Sequence, residues 1–323
     1  KNIGKGRFQD VGEEWGLNLP SFSNGAAFAD FDGDGDMDYV LGNFGLNSRY
    51  RPTKEEPIKI YAKDFDENGI IDPIMTQYSN GREVPVHLRD DLFKQLTMLK
   101  KTLPTYKDYA AASITDIIPS DILKETETFT WNYSNSACLI NHGKKGFELV
   151  PLPHRAQIAP IYGTLIRDFN GDGIPDILAI GNSHSSESFS GWQDASLGTL
   201  LLGKGDGTFE VSDFETSNFY LDGDTKALAK LSYYSGSYLY LVSVNNDSLK
   251  VFGDSKRKTV NTIKLKPFDY RAKITYKDGR TELREFNYGS GYYSQNSRTM
   301  SITDTMESII ISNSSDEIRK IKW

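Results

Sequence analysis

Cysteine is nearly absent from this 323-residue chain: Cys138 stands alone, which excludes an intramolecular disulfide or a thiolate metal cluster and marks it as buried filler. Long apolar runs are missing too. No stretch approaches the ~18 residues a membrane-spanning helix needs. Positive charge is in deficit, with 37 Lys+Arg against 44 Asp+Glu and a formal net charge of −7, so a broad cationic face for nucleic acid is not expected. The four histidines, His87, His142, His154 and His184, show no zinc spacing. Nucleophile elbow, P-loop and dinucleotide fingerprint are likewise missing, so nucleophilic and phosphoryl-transfer chemistry have no support. A start methionine, a signal core and a lipidation motif are absent as well. The chain is therefore expected to be a processed piece of a longer protein.

What the sequence does have is a repeat. Residues 30–38 read Asp-Phe-Asp-Gly-Asp-Gly-Asp-Met-Asp, residues 64–72 Asp-Phe-Asp-Glu-Asn-Gly-Ile-Ile-Asp, and residues 168–176 Asp-Phe-Asn-Gly-Asp-Gly-Ile-Pro-Asp. Side-chain oxygens at positions 1, 3, 5 and 9 can converge on one point when the loop curls. Glycine at position 6 permits the turn, and position 7 can offer its backbone carbonyl. The expected ligands are Asp30, Asp32, Asp34, Asp36 and Asp38 in the first loop, Asp64, Asp66, Asn68, Ile70 and Asp72 in the second, and Asp168, Asn170, Asp172, Ile174 and Asp176 in the third. All-oxygen ligands in a flexible loop favour Ca²⁺ over Mg²⁺, which gives an expectation of about three structural Ca²⁺. An EF-hand is excluded, because position 12 holds Leu41, Met75 and Ala179 rather than a glutamate. Bare Asp/Gly hairpin turns are the alternative. Four carboxylates crowded into the first loop without a cation would repel one another strongly.

A second motif accompanies the first. Leu-Ile-Asn-His-Gly-Lys-Lys-Gly-Phe-Glu at 139–148 and Leu-Leu-Gly-Lys-Gly-Asp-Gly-Thr-Phe-Glu at 201–210 are each strand, glycine turn and aromatic strand, and residues 2–8 look like a truncated copy. An inner hairpin carrying the Asp loop and an outer hairpin carrying the glycine turn make four strands per unit. A degenerate fourth unit is expected over 227–252, with Ser235-Gly236-Ser237 as its turn.

These motifs resemble the FG-GAP/VCBS repeat of integrin-type β-propellers. The resemblance implies an all-β fold, a partial or open propeller of about four recognisable blades over residues 1–260. The 104 residues separating Asp64 from Asp168 leave room for a helical insertion at 86–126, where Leu88, Leu92, Leu96, Leu99 and Leu103 form one apolar stripe closed by Pro104, followed by a Ser120-capped turn. Residues 261–323 change character, with alternating strands around Asp278-Gly279. They are similar to the ASPIC/UnbV domain that follows VCBS propellers in cartilage acidic proteins and bacterial surface proteins, including those of Bacteroidetes. The order of helical insert, propeller units and tail resembles that of long secreted proteins of Bacteroidetes, and this resemblance implies an extracellular, cell-surface or periplasmic protein.

For function, the resemblance implies a calcium-stabilised binding or scaffold module recognising a carbohydrate or protein ligand without catalysis. A catalytic or accessory part of a polysaccharide-degrading system is the alternative. The long polar loop at 182–194 holds His184, Phe189 and Trp192, an aromatic set that would suit a sugar ring, although a Trp that packs the loop onto a neighbouring blade is the stronger expectation.

Overall fold

The computed structural model describes residues 1–186, 189–233, 237–253, 261–313 and 317–321. Within these the chain is mostly β, arranged as several antiparallel sheets, none of them closed. It divides into two compact units, one of Lys1–Asn18, Ser23–Ser48 and Asn135–Trp323, the other of Leu19–Phe22 and Arg49–Ser134.

Strands β1 (Gly25–Ala29) and β2 (Asp38–Gly42) form the hairpin around the first Asp loop. The chain then builds the second unit before returning. That unit is a four-stranded sheet of order β5-β4-β3-β6, from β3 (Ile58–Lys63), β4 (Asp72–Ser79), β5 (Arg82–Pro85) and β6 (Glu127–Trp131). Between β5 and β6 lie five short helices: α1 (Arg89–Gln95), α2 (Leu99–Thr102), α3 (Tyr106–Ala111), α4 (Ile114–Ile117) and α5 (Ser120–Lys124). Their apolar residues Leu92, Phe93, Leu96, Leu99, Leu103, Ile114 and Ile117 cluster with Tyr61 and Ile74 of the sheet.

The leucine stripe is thus spread over two helices rather than one. Leu96 ends α1 outside helical geometry, at φ −117°, and Leu88, at the N-cap position, is 50% exposed. Ser120 is not a cap either. It is the first residue inside α5, behind Pro119, while Thr105 and Ser113 form capping boxes with Asp108 and Asp116.

Back in the first unit, β7 (Ala137–Asn141) pairs with β2, and β8 (Phe147–Pro151) with β7, giving a sheet of order β1-β2-β7-β8. The hairpin at 139–148 therefore completes the sheet of the first loop. The gap between the second and third loops holds the helices plus this returning pair. A second sheet follows without interruption: β9 (Ile161–Arg167), β10 (Asp176–Gly181), β11 (Thr199–Gly203) and β12 (Phe209–Val211), with the third Asp loop between β9 and β10 and the glycine turn between β11 and β12.

After a single turn, α6 (Phe214–Ser217), comes a three-stranded sheet of β13 (Thr225–Ser232), β14 (Tyr238–Val244) and β15 (Lys250–Gly253). This occupies the place expected for the fourth repeat. Ser235 and Gly236 of its turn lie outside the described residues.

These three sheets pack face to face. Ala27, Val40, Cys138 and Ile140 of the first meet Ile177, Ala179 and Leu201 of the second, and Leu178 and Ile180 from the opposite face of β10 meet Leu228, Tyr238, Tyr240 and Val242 of the third. Every residue of β10 is buried, as a strand between two packed sheets must be. Cys138 lies fully inside the first of these cores, and burial pushes its thiol pKa up.

The tail contributes β16 (Asn261–Lys264), β17 (Asp269–Tyr276), β18 (Thr281–Glu285), β19 (Thr299–Ile302), β20 (Met306–Asn313) and β21 (Ile318–Ile321). Four of these form a sheet of order β18-β17-β20-β21, and β16 pairs with β19. The tail has its own core, with Leu265, Ala272, Ile274, Met300, Met306, Ile309 and Ile311. Residues 254–260, which flank the expected 260/261 boundary, and Trp323 lie outside the described residues.

Candidate metal loops and an aromatic loop

Each Asp loop joins two neighbouring antiparallel strands, and the three loops repeat one hydrogen-bond scheme. The position-1 carboxylate turns inward to accept backbone N–H groups of its own loop. Asp30 accepts from Gly33 at 2.8 Å and Gly35 at 3.1 Å, and Asp168 from Gly171 at 2.6 Å and Gly173 at 2.9 Å. Asp64 accepts from Asn68 at 3.0 Å and Gly69 at 2.7 Å. The side chain at position 5 accepts from position 7 at 2.8 Å in all three loops: Asp34 from Asp36, Asn68 from Ile70, and Asp172 from Ile174. Finally, the position-9 carboxylate accepts from the backbone of the phenylalanine at position 2: Asp38 from Phe31 at 2.7 Å, Asp72 from Phe65 at 3.0 Å, and Asp176 from Phe169 at 2.7 Å.

Such curling needs left-handed backbone at position 6. Gly35, Gly69 and Gly173 have φ of 94°, 89° and 86°, a region where a Cβ is strained.

The curl gathers oxygens. Carboxylate oxygens of Asp30, Asp32 and Asp38 lie within 4.8 Å of one another, as do those of Asp64, Asp66 and Asp72. Asp34 and Asp36 of the first loop are exposed and lie outside its triad. Among the described residues the third loop forms no such triad. Asn170 stands at its position 3, and its amide nitrogen donates to Asp172 at 2.8 Å.

The gathered carboxylates are costly as they stand. Burial, aided by the neighbouring Asp carboxylates, pushes both Asp30 and Asp38 up to about 6, and burial also raises Asp176. In the second loop, Asp66 Oδ1 is buried with no hydrogen-bond partner. An anionic oxygen without a donor, beside two further carboxylates, fits a hard cation, which would supply the missing charge. The donor set is all oxygen, as Ca²⁺ prefers.

Two further residues serve the loops without belonging to them. Asn141 at the end of β7 and Gly203 at the end of β11 donate backbone N–H groups to Asp38 and Asp176 at 2.8 and 2.9 Å. Both lie outside the nine-residue Asp motifs. Their signal is that both are the third residue of the glycine-turn hairpin motif, after Leu139-Ile140 and Leu201-Leu202.

The aromatic loop lies between β10 and β11. Reciprocal backbone hydrogen bonds between Ser183 and Gln193, at 2.8 and 2.9 Å, close its neck, and the buried Asn182 amide donates to the carbonyls of Ser196 and Gly223, both at 2.8 Å. Just outside that neck the rings of His184 and Trp192 stack, with centroids 4.4 Å apart and planes at 15°, and Trp192 is 64% exposed. Phe189 is half-buried, and Glu187 and Ser188 lie outside the described residues. Beside the neck, Lys226 donates to the Asn182 carbonyl at 2.7 Å, pairs with Asp224 at 2.6 Å and sits 3.7 Å from the centre of the Tyr162 ring. Two of the other histidines have hydrogen-bond partners: His142 meets Glu148 at 2.8 Å, and His87 Nε2 accepts from the Met75 backbone at 3.0 Å. No protein-family model matches this chain, and no curated protein matches it significantly.

Proposed function

We propose that this chain is a calcium-stabilised binding or scaffold module of the FG-GAP/VCBS β-propeller type, with an ASPIC/UnbV-like tail, working outside the cell, at its surface or in the periplasm. One observation carries the metal part of this reading: a single hydrogen-bond scheme recurs in three loops, and in the first two it gathers carboxylate triads, one of which holds the unpartnered Asp66 Oδ1. About three Ca²⁺ would be held by the residues at positions 1, 3, 5, 7 and 9 of the loops. Their role is structural, since each loop connects two strands of one sheet and a bound ion fixes that connection. A carbohydrate or protein ligand would meet the loop of His184, Phe189 and Trp192, where the exposed Trp192 ring is backed by the stacked His184 ring.

Calorimetric calcium titration of EDTA-stripped protein, with thermal unfolding followed in parallel, tests the metal reading. Bound ions and a clear upward shift in Tm are expected, because an ion held at 100 times its Kd adds about 2.7 kcal/mol per site. An unchanged Tm in excess EDTA would overturn it. Incubation with a glycan panel separates retention without cleavage, expected here, from the release of reducing ends that a polysaccharide-degrading enzyme would give.

A further inference from the structure

One neighbour sets the third loop apart from the other two. Arg280, in the turn between β17 and β18 of the tail, donates through Nη1 to the carbonyl of Gly173 at 2.6 Å. Gly173 is the sixth residue of the third loop. A Cβ built on it would lie 2.5 Å from Arg280 Nη2, whereas one built on the equivalent Gly35 or Gly69 would meet nothing within 4 Å. The guanidinium is held from the tail side, 4.3 Å from the centre of the Tyr276 ring and 3.9 Å from Asp278. The third loop also has Asn170 where the others have Asp32 and Asp66, and it gathers no carboxylate triad among the described residues. At positions 1, 3, 5 and 9 it has one carboxylate fewer than the first loop and the same three as the second, so what sets it apart from both is the guanidinium held against its Gly173 carbonyl, while it keeps the same internal hydrogen bonds.

We propose that the third loop is a weak, tail-linked cation site in which Arg280 opposes the divalent ion that the first two loops bind without such a competitor. The inference rests on the calcium reading of the loops and adds to it a hierarchy and a regulator. The guanidinium stabilises the loop while no ion is bound, and it repels an ion that enters. Linkage makes the effect reciprocal: whatever affinity the docked Arg280 removes from the ion, the bound ion removes from the docking of Arg280. Calcium level would then set how firmly the turn at 277–280 is held against the third loop.

The test is calcium calorimetry on the EDTA-stripped full chain, as wild type, Arg280→Gln, Arg280→Lys and Arg280→Gln with Asp168→Asn. Wild type is expected to show two tight sites and one at least ~10-fold weaker, and Arg280→Gln to tighten the weak site by ~10-fold while leaving the tight pair in place. Arg280→Lys keeps the charge and should leave the site weak. Adding Asp168→Asn should abolish the tightened site and so assign it to the third loop. Hydrogen exchange on the wild-type chain needs no variant, and the amides of residues 276–280 should exchange faster with calcium than without it. Three equivalent sites in wild type, a weak site unmoved by Arg280→Gln, or calcium-independent exchange at 276–280 would each overturn the inference while leaving the calcium reading intact. Absence of binding at every loop would overturn both.

Discussion

The backbone N–H of Asn141 donates to the carboxylate of Asp38 at 2.8 Å, across 103 residues of chain. The same carboxylate accepts from Phe31 at 2.7 Å, so Asp38 fastens its own loop to the strand that returns beside it. Asp38 is fully buried, and its removal by Asp38→Ala would leave two N–H groups unpaired. At about 1–3 kcal/mol for each stranded donor, a loss of about 2–6 kcal/mol is expected in chemical denaturation under EDTA. Asp34→Ala, at an exposed position of the same loop, should cost under about 1 kcal/mol in the same conditions. Equal losses for the two variants would show that Asp38 acts only as a metal ligand.

The buried carboxylates set a pH dependence whose sign differs from that of an ordinary salt bridge. In the metal-free fold Asp30 and Asp38 are raised from 3.8 to about 6, so between these limits the folded chain holds protons that the unfolded chain has released. Stability from these groups is complete below about pH 4 and is lost as pH rises through about 6. A bound cation needs both groups ionised and reverses the trend. The difference in Tm between calcium and EDTA should therefore widen from about pH 5 to about pH 7. A difference that stays constant over this range would place the cation away from Asp30 and Asp38.

The second unit offers a test independent of metal. Glu83 on β5 accepts from Lys59 at 2.9 Å, the Tyr61 hydroxyl at 2.9 Å and the Thr76 hydroxyl at 2.7 Å, with its side chain only 13% exposed. Burial raises its pKa, but the hydrogen bonds from Lys59, Thr76 and Tyr61 outweigh it and hold the carboxyl below the usual 4.5. Its contribution is therefore present above about pH 4.5 and lost as pH falls further. Glu83→Ala strands the Lys59 ammonium and should cost about 2–4 kcal/mol near neutral pH, and Glu83→Gln, which keeps an acceptor, should cost less. A loss under about 1 kcal/mol for Glu83→Ala would mean that water replaces the carboxylate.

The Asp loops were legible because their geometry is local. Oxygens at alternate positions and a glycine at the sixth define the curl within nine residues, and the scheme from Asp30 to Asp38 recurs from Asp168 to Asp176. The Asp278-Gly279 turn was legible for the same reason, with Gly279 at a φ of 88°. Strand partnership was not. Leu139 pairs with Tyr39 rather than with a strand of the second unit, and nothing in either short apolar run states which sheet edge it will join. Helix boundaries suffered similarly. The leucine spacing is compatible with one helix, but Thr97 and Met98 fall between α1 and α2, and two short helices bury Leu92, Leu96, Leu99 and Leu103 equally well. Arg280 could not be anticipated at all, since its meeting with Gly173 spans 107 residues and depends on where the tail docks.

Trp192 decides whether the aromatic loop binds or merely packs. The neck is closed by Ser183 and Gln193 and anchored through Asn182, none of which needs the indole, and Trp192 is 64% exposed. Its contact with His184 joins two residues of the same loop, so removing it should leave the β10–β11 packing unchanged. Trp192→Ala is accordingly expected to cost under about 1 kcal/mol in stability. If the stacked pair is the ligand surface, the same change should weaken retention on the glycan or protein partner at least ~10-fold, as loss of an aromatic anchor does. His184→Ala removes the ring that holds the indole in place and should weaken binding by a smaller factor. A large drop in Tm with unchanged binding would identify Trp192 as packing and move the search for the ligand to the row formed by Tyr162, Tyr292 and Tyr293, whose rings follow one another at 5.1 and 4.7 Å.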